Sequence, residues 1–297
     1  MLIAAFDFGS NSLKALLADA SGNEIREILD GRVLNRLGAE SDNISDSTIA
    51  KTIEAARTLL ADMQRFGTID VIMAAGTEAL RRAHNSGKLV EKLNFELGID
   101  LKILQPDEEA ELAWWGAAGD LNGQREIILF DSGGASTEFC HGFGNILKER
   151  LSVPLGAVSL SKAFLTSDPP QLSEISCLSD YIDSHLQFLK HWQGSLLATG
   201  GGIAACAKVA YGISSQDFNS LNGVKLDMAE LERQKRLYLA SGLEERKKIQ
   251  FLEPERADII PAGCLLYLSV LKTLGKTQIE VRTKGLRHGL VWQYLTG

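Results

Sequence analysis

Two segments of the chain carry the residue types that phosphate chemistry needs, in nearly the same order. FDFGSNSLK begins at Phe6 and FDSGGASTE at Phe130; each ends an apolar run with an aspartate, Asp7 or Asp131, followed by a glycine-serine turn. Such a turn leaves backbone N–H groups open and can surround an anion. Ser10, Asn11 and Ser12 add side-chain donors in the first copy; Ser136 and Thr137, after Gly133 and Gly134, add them in the second. A carboxylate is the wrong neighbour for a phosphate unless a divalent cation lies between them. Magnesium favours one or two carboxylates, water and phosphate oxygens. One such loop reads as a plain hairpin turn whose aspartate caps turn amides. Two in register point to a chain of phosphates gripped by both, with Mg2+ or Mn2+ held by Asp7 and Asp131.

The elements around these loops repeat as well. LIAAFDF, LKALLADA and EIREILDGRVLN read as three successive strands, with a turn at Gly22 and Asn23. A helical pattern runs from Asp46 to Gly67, and strand IDVIMAA, helices GTEALRRAHN and LVEKLNFELG, strand LKIL and helix PDEEAELAWWGAA follow. After a polar break at Asn122 and Gly123, REIILFDSGG, STEFCHGF and ILKERLSV read as three strands again. Two long helices are expected over QLSEISCLSDYIDSHLQFLKHW and AELERQKRLYLASGLEERKKI, with strand, glycine turn and helix at SLLATGGGIAACAKVA between them. Helix RADIIPAGCLLYLSVLKTLG, strand QIEVRT and helix GLRHGLVWQYL close the pattern. The expectation is an α/β protein of two domains with one plan, residues 1–122 and 123–297.

Composition removes several classes of function. The 297 residues are 45% hydrophobic and 23% charged, with a net charge of −7, which disfavours general nucleic-acid binding. No apolar run approaches the roughly 20 residues of a membrane span, and MLIAAFDF reads as a strand rather than a signal peptide. Cys140, Cys177, Cys206 and Cys264 form no CxxC pair, and the five histidines form no HxH or HxxxH pair. A reducing cytoplasm without a zinc site is expected, and a homodimer is an admissible assembly.

The chain resembles the exopolyphosphatase and guanosine-pentaphosphate phosphohydrolase family, within the actin, sugar-kinase and Hsp70 superfamily of duplicated folds. The resemblance rests on both loops, GTEALRRAHN from Gly76, ILQPDEEAEL from Ile103, VPLGAVSL from Val153, ATGGGIAA from Ala198, PERADIIPAG from Pro254 and GLRHGL from Gly285. It implies two ribonuclease-H-like domains with an interdomain cleft, the last helix crossing back onto the first, and metal-dependent hydrolysis of terminal phosphoanhydrides. It further implies Glu109, second in the EEA triplet, as the base on the attacking water. An ordinary glutamate is ionised at neutral pH and can take that proton; acidic residues also favour a first helical turn on dipole grounds alone. Lys14 and Arg81 fall at positions that are basic in the family and would neutralise substrate charge. Glu138 is a third carboxylate for the cation. Arg256 touches a guanosine phosphate or pairs with Asp258. Two departures stand out: Ala135 replaces the third glycine of the second loop, and Arg282, Thr283 and Lys284 precede Gly285, adding positive charge at a rim.

The leading expectation is release of orthophosphate from inorganic polyphosphate. The alternative in the same reaction class is a guanosine pentaphosphate 5′-phosphohydrolase. An alternative of another class is a slow-turnover regulatory binder of alarmone or polyphosphate, supported only by Ala135. The EEA helix argues against a kinase.

Overall fold

In the computed structural model, which describes residues 1–20, 25–39, 42–119, 121, 125–144 and 146–296, LIAAFDF forms strand β1 (Leu2–Phe8). β2 (Ser12–Asp19) and β3 (Arg26–Leu34) follow as an antiparallel meander. Helix α1 (Asp46–Gln64) starts where the Ser45 hydroxyl accepts the Thr48 N–H, an N-cap that satisfies an otherwise orphaned donor. β4 (Val71–Gly76), α2 (Glu78–Arg82), α3 (Ser86–Leu97), β5 (Leu101–Ile103) and α4 (Pro106–Ala118) complete this stretch. The sheet order is β3-β2-β1-β4-β5, with β4 parallel to β1 and β5 parallel to β4.

Strand alternation assigns the two faces of this sheet. Ala4, Phe6 and Phe8 pack with Ile53 of α1 and Leu93 of α3, whereas Ile3 and Ala5 pack with Leu112 of α4. Phe6 and Phe8 are fully buried, and each large side chain removed from water contributes about 1.5–3 kcal/mol. Asp7 has the parity of Ile3 and Ala5, so it lies on the face that α4 covers.

The second sheet restates the first. β6 (Glu126–Ser132), β7 (Thr137–Phe143) and β8 (Ile146–Val153) form an antiparallel meander, followed by α5 (Ala157–Phe164) and α6 (Leu172–His185). Then come β9 (Ser195–Thr199), α7 (Gly201–Tyr211), β10 (Lys225–Asp227), α8 (Met228–Ala240), α9 (Leu243–Arg246), α10 (Ile260–Leu274) and β11 (Gln278–Val281). The order is β10-β11-β9-β6-β7-β8, with β9 parallel to β6 and β11 parallel to β9. Apart from the added antiparallel edge β10, this is the order of the first sheet, and both are ribonuclease-H-like.

Met1–Gly116 with Leu286–Gly297 form one compact unit, and Ala117–Gly285 form the other. The division therefore falls before the expected 122/123 boundary, and the break at Asn122–Gly123 and the turn at Gly22–Asn23 lie outside the described residues. The last helix, α11 (Leu286–Thr296), belongs to the first unit, where Leu286, Leu290 and Val291 pack on Ile3, Ala5 and Leu16. Arg287 reinforces it with a two-armed ion pair to Asp30, Nε lying 3.0 Å from Oδ1. His288 lies 3.3 Å from Glu27. Burial, helped by the neighbouring Arg287, holds the His288 imidazole below its ordinary pKa, against the opposite pull of Glu27 and Asp30.

Both long helices expected in the second half are broken. The first turns into a 3-10 segment at Gln187–His191, after α6. The second stops at Ala240 because Arg246 makes tertiary bonds a continuous helix would forbid. Its guanidinium donates to the carbonyls of Tyr238, Ser241 and Ala257 and pairs with Asp168 at 2.9 Å. Asp168 also accepts the Leu243 N–H at 2.7 Å, which starts α9 after Gly242. No described helix is long and apolar enough to cross a membrane.

Candidate active site

In the first unit, Asp7 stands opposite Lys14 in the β1–β2 register, and the Lys14 ammonium donates to its carboxylate at 3.2 Å. The turn between them closes through Gly9 N–H to Ser12 carbonyl at 3.2 Å; a Cβ on Gly9 would meet that oxygen at 3.1 Å. A segment that sequence reasoning missed braces this loop from outside. Gly38 donates to the Ser10 carbonyl at 2.7 Å, and the amides of Asn35 and Arg36 donate to the Asn11 carbonyl. Gly38 must be small, because its Cβ would come within 2.7 Å of Ser10 Cβ. Arg36 takes the left-handed conformation at φ 52° to make this contact.

Parallel pairing sets Ala75 and Gly76 of β4 beside Asp7 and Phe8, so Thr77 and α2 begin next to the loop. Thr77, not foreseen as a site residue, is buried and donates its N–H to the Phe8 carbonyl at 3.4 Å. Arg81 of α2 reaches α4 and donates to Glu109 at 3.0 Å, to the Leu104 carbonyl at 2.5 Å and to Glu78 at 2.7 Å. Burial works against the guanidinium charge, but Glu109 and Glu78 outweigh it and hold the Arg81 pKa above its ordinary value. The structure thus makes Arg81 an orienting clamp on Glu109 as well as a local cation. Glu109 is buried, at 7% exposure. Its neighbour Glu108 faces elsewhere, accepting from Lys102 at 2.6 Å and from the Gln105 N–H at 2.8 Å. Those two bonds, Lys102 first, lower its pKa despite the opposing effect of burial. Glu108 caps the helix and Glu109 supplies the buried carboxylate.

In the second unit the same hairpin recurs. Gly133 N–H donates to the Ser136 carbonyl at 3.0 Å, the counterpart of the Gly9–Ser12 bond. Asp131 stands opposite Glu138 in the β6–β7 register, so two carboxylates share one face where the first unit has an aspartate and a lysine. Glu138 Oε1 accepts from Ser136 at 2.7 Å and from Ser152 of β8 at 2.8 Å. Ser152 is a positioning residue that no motif marked. Thr137 donates its hydroxyl to the Leu155 carbonyl at 2.7 Å and holds the loop through that bond.

The brace here is α5. The N–H groups of Ala157, Val158 and Ser159 donate to the carbonyls of Gly133 and Gly134, and a Cβ on Gly156 would lie 2.2 Å from the Ala135 carbonyl carbon. One sequence signal pointed to both braces: the tripeptide Leu-Gly-Ala occurs at 37–39 and at 155–157. Ala135 does not strain its loop, since Arg36 and Phe251 are the positive-φ non-glycine residues found among those described. Asp131 lies against Gly200, whose Cβ would approach Oδ1 to 3.2 Å, and against Gly285, whose Cβ would approach Oδ2 to 3.9 Å. Gly200 adopts φ 115°, which favours glycine on backbone grounds as well. Arg256 lies over the same glycine turn, where its Nη2 occupies the space a Cβ on Gly201 would need. Its Nε is 3.6 Å from Glu253, which is one charge partner of the guanidinium. Arg282 is buried, donates to the Ala117 carbonyl at 2.8 Å and lies 3.8 Å from Glu280. Its charge is directed inward and does not enrich a rim.

The sequence model of the Ppx/GppA phosphatase family matches residues 25–296. Exopolyphosphatase 1 of Mycobacterium tuberculosis is 27% identical over 321 aligned residues, covering 99% of this chain and 88% of that protein. Its Mycobacterium leprae counterpart is 28% identical, covering 99% and 90%. The crystal structure of the Aquifex aeolicus Ppx/GppA family member superposes with a TM-score of 0.86 at 27% identity, covering 99% of this chain and 97% of that one. An exopolyphosphatase structure from Cytophaga hutchinsonii, 22% identical with a TM-score of 0.87 and coverages of 99% and 98%, shares the fold. The protein is a hydrolase.

Proposed function

The chain belongs to the Ppx/GppA phosphatase family, and from that premise we propose that it releases orthophosphate from the end of inorganic polyphosphate with a magnesium or manganese ion. The observation that carries this reading is the pair of glycine-serine hairpins with the same internal bond, Gly9 to Ser12 and Gly133 to Ser136. Each unit offers a preformed loop for phosphate oxygens, which suits a substrate that is phosphate throughout. Glu109 accepts the proton of the attacking water, and Arg81, 3.0 Å away, fixes its direction.

A divalent cation fits the second hairpin. Asp131 and Glu138 stand in register, and the Ser136 and Ser152 hydroxyls hold Glu138 in place. Two carboxylates side by side repel unless a cation joins them, and oxygen ligands of this kind suit magnesium. When bound, the ion neutralises charge gathering on the phosphoryl oxygens. Asp7, already paired with Lys14, is the weaker metal ligand and serves the first loop chiefly as an anchor. Ser10, Asn11, Ser12 and the Gly134 N–H bind the phosphates, the Gly133 N–H being spent on the turn bond to Ser136.

The test is phosphate release on polyphosphate and on guanosine pentaphosphate, side by side, with magnesium and with excess chelator. Faster release from polyphosphate that vanishes in chelator is expected. Preference for guanosine pentaphosphate would overturn the substrate, and full activity in chelator would overturn the metal.

A further inference from the structure

At the end of the second sheet remote from Asp131, the structure holds a half-open cavity of about 300 Å3, lined by Arg125, Ser195, Lys225, Lys276, Thr277 and Glu280 among others. Ser195 opens β9 and pairs with Ile127, whereas Thr199 closes it beside Asp131. At about 3.3 Å per residue, that separates the cavity from the hairpin carboxylates by about 13 Å along the strand.

The lining is basic in a chain whose net charge is −7. Glu280 is answered twice, by Arg125 at 2.8 Å and by Arg282 at 3.8 Å. Lys225 and Lys276 make no ion pair among the described residues, so their charges stand over. Arg125 is held in place before any ligand arrives, because its Nε donates to the Ser195 hydroxyl at 2.8 Å. The Lys276 N–H donates to the Leu271 carbonyl at 2.9 Å, just past the left-handed Gly275 that ends α10, which sets the backbone of Lys276 at this turn. Gly194, at φ 122°, brings the cavity floor against Glu126, where a Cβ would meet the backbone at 2.7 Å.

We propose that this cavity is a second anion site, which takes linked phosphates of the pyrophosphate or short oligophosphate class. Its volume lies at the lower bound of about 300–1,000 Å3 for ligand pockets, more than one tetrahedral anion fills. The cations come from three directions: the start of β6, the edge strand β10 and the α10–β11 turn. That spread suits a ligand carrying charge on more than one centre. Ser195, Thr277 and Gln278 add hydroxyl and amide donors. The inference is independent of the hydrolytic reading, since none of these residues belongs to the hairpins.

The experiment is a titration of the protein with pyrophosphate in metal-free buffer, followed at the backbone amide resonances of Ser195, Thr277 and Gln278. Saturable shifts at these amides are expected, weakened about tenfold in the Lys225→Gln/Lys276→Gln double variant. The same loss of charge on the first unit, Lys51→Gln/Lys92→Gln, should leave the affinity unchanged. Orthophosphate should bind about tenfold more weakly than pyrophosphate. Absent or unsaturable shifts, equal weakening in the two double variants, or equal affinity for the two anions would each overturn the assignment. Failure here leaves phosphate release untouched, and loss of hydrolysis in a Glu109 variant leaves this titration untouched.

Discussion

The two hairpins share their turn bond, their strand register and a glycine brace, yet differ at one position of opposite charge. Across from Asp7 stands Lys14, 3.2 Å away; across from Asp131 stands Glu138. The first hairpin is electrically complete. The second sets two acids side by side. One scaffold used twice thereby carries two different charge patterns, an internal ion pair in the first hairpin and two facing acids in the second, and under the proposed function only the second is an edge for a metal ion.

The largest expected effect comes from erasing that difference. Glu138→Lys would give the second hairpin the internal ion pair of the first, and magnesium-dependent phosphate release should fall by about 10²–10³-fold. Glu138→Gln keeps the shape and should show the same direction with a smaller loss. Persistent magnesium stimulation in both variants, read from release against metal concentration, would end the idea of a metal edge. Next is the base: Glu109→Gln should lower turnover by about 10²-fold or more, while Glu108→Gln should keep turnover and lose about 1 kcal/mol of stability with its cap. Equal losses of turnover would show that the wrong glutamate has been chosen.

Aspartate exchanges sharpen the same contrast. Asp131→Asn should raise the magnesium concentration for half-maximal release by about tenfold, one charge-assisted contact being worth about 1.5–3 kcal/mol. Asp7→Asn should move that concentration less and show itself chiefly as lower thermal stability, because it leaves Lys14 without its carboxylate. The braces come after these. Gly156→Ala, whose Cβ would strike backbone at 2.2 Å, should cost about 1–3 kcal/mol in denaturant unfolding. Gly38→Ala meets a side-chain carbon at 2.7 Å and should cost less.

The smallest effect is a pH dependence confined to the first unit. The folded pKa of His288 lies below the ordinary 6.5. As pH falls through 6.5 the unfolded chain takes up the proton first, so this contribution to stability is present above 6.5 and declines below it. His288→Gln should flatten the fall in melting temperature on that acid side, and an unchanged slope would remove His288 from the account.

Much of this is readable in the amino-acid sequence. α4 runs from Pro106 to Ala118, as its acidic first turn and apolar pattern required, and both hairpins lie where the glycine-serine turns put them. What stayed hidden depends on partners distant in sequence. Periodicity continued a helix through Ser241 and Gly242, because nothing local reveals that Arg246 will seek Asp168 and the Ala257 carbonyl. α5 was missed because its eight residues are organised by bonds to the glycine loop. The inward use of Arg282 and the clamp between Arg81 and Glu109 are likewise contacts between elements, invisible to composition or spacing. The hairpin and acidic-helix residues were legible as types, and the contacts that hold them were not.

The position of α11 has a consequence for the order in which the molecule is made. Ile3, Ala5, Leu16 and Ala18 are wholly buried, and part of what covers them is a helix that begins at Leu286. During synthesis the ribosome must deliver all of the second unit before that cover exists, while domains generally begin folding from the N-terminus. Until then the early strands present an oily strip to the cell, a site for chaperone capture or for mispairing between nascent chains. The unit that emerges first is the last to be finished.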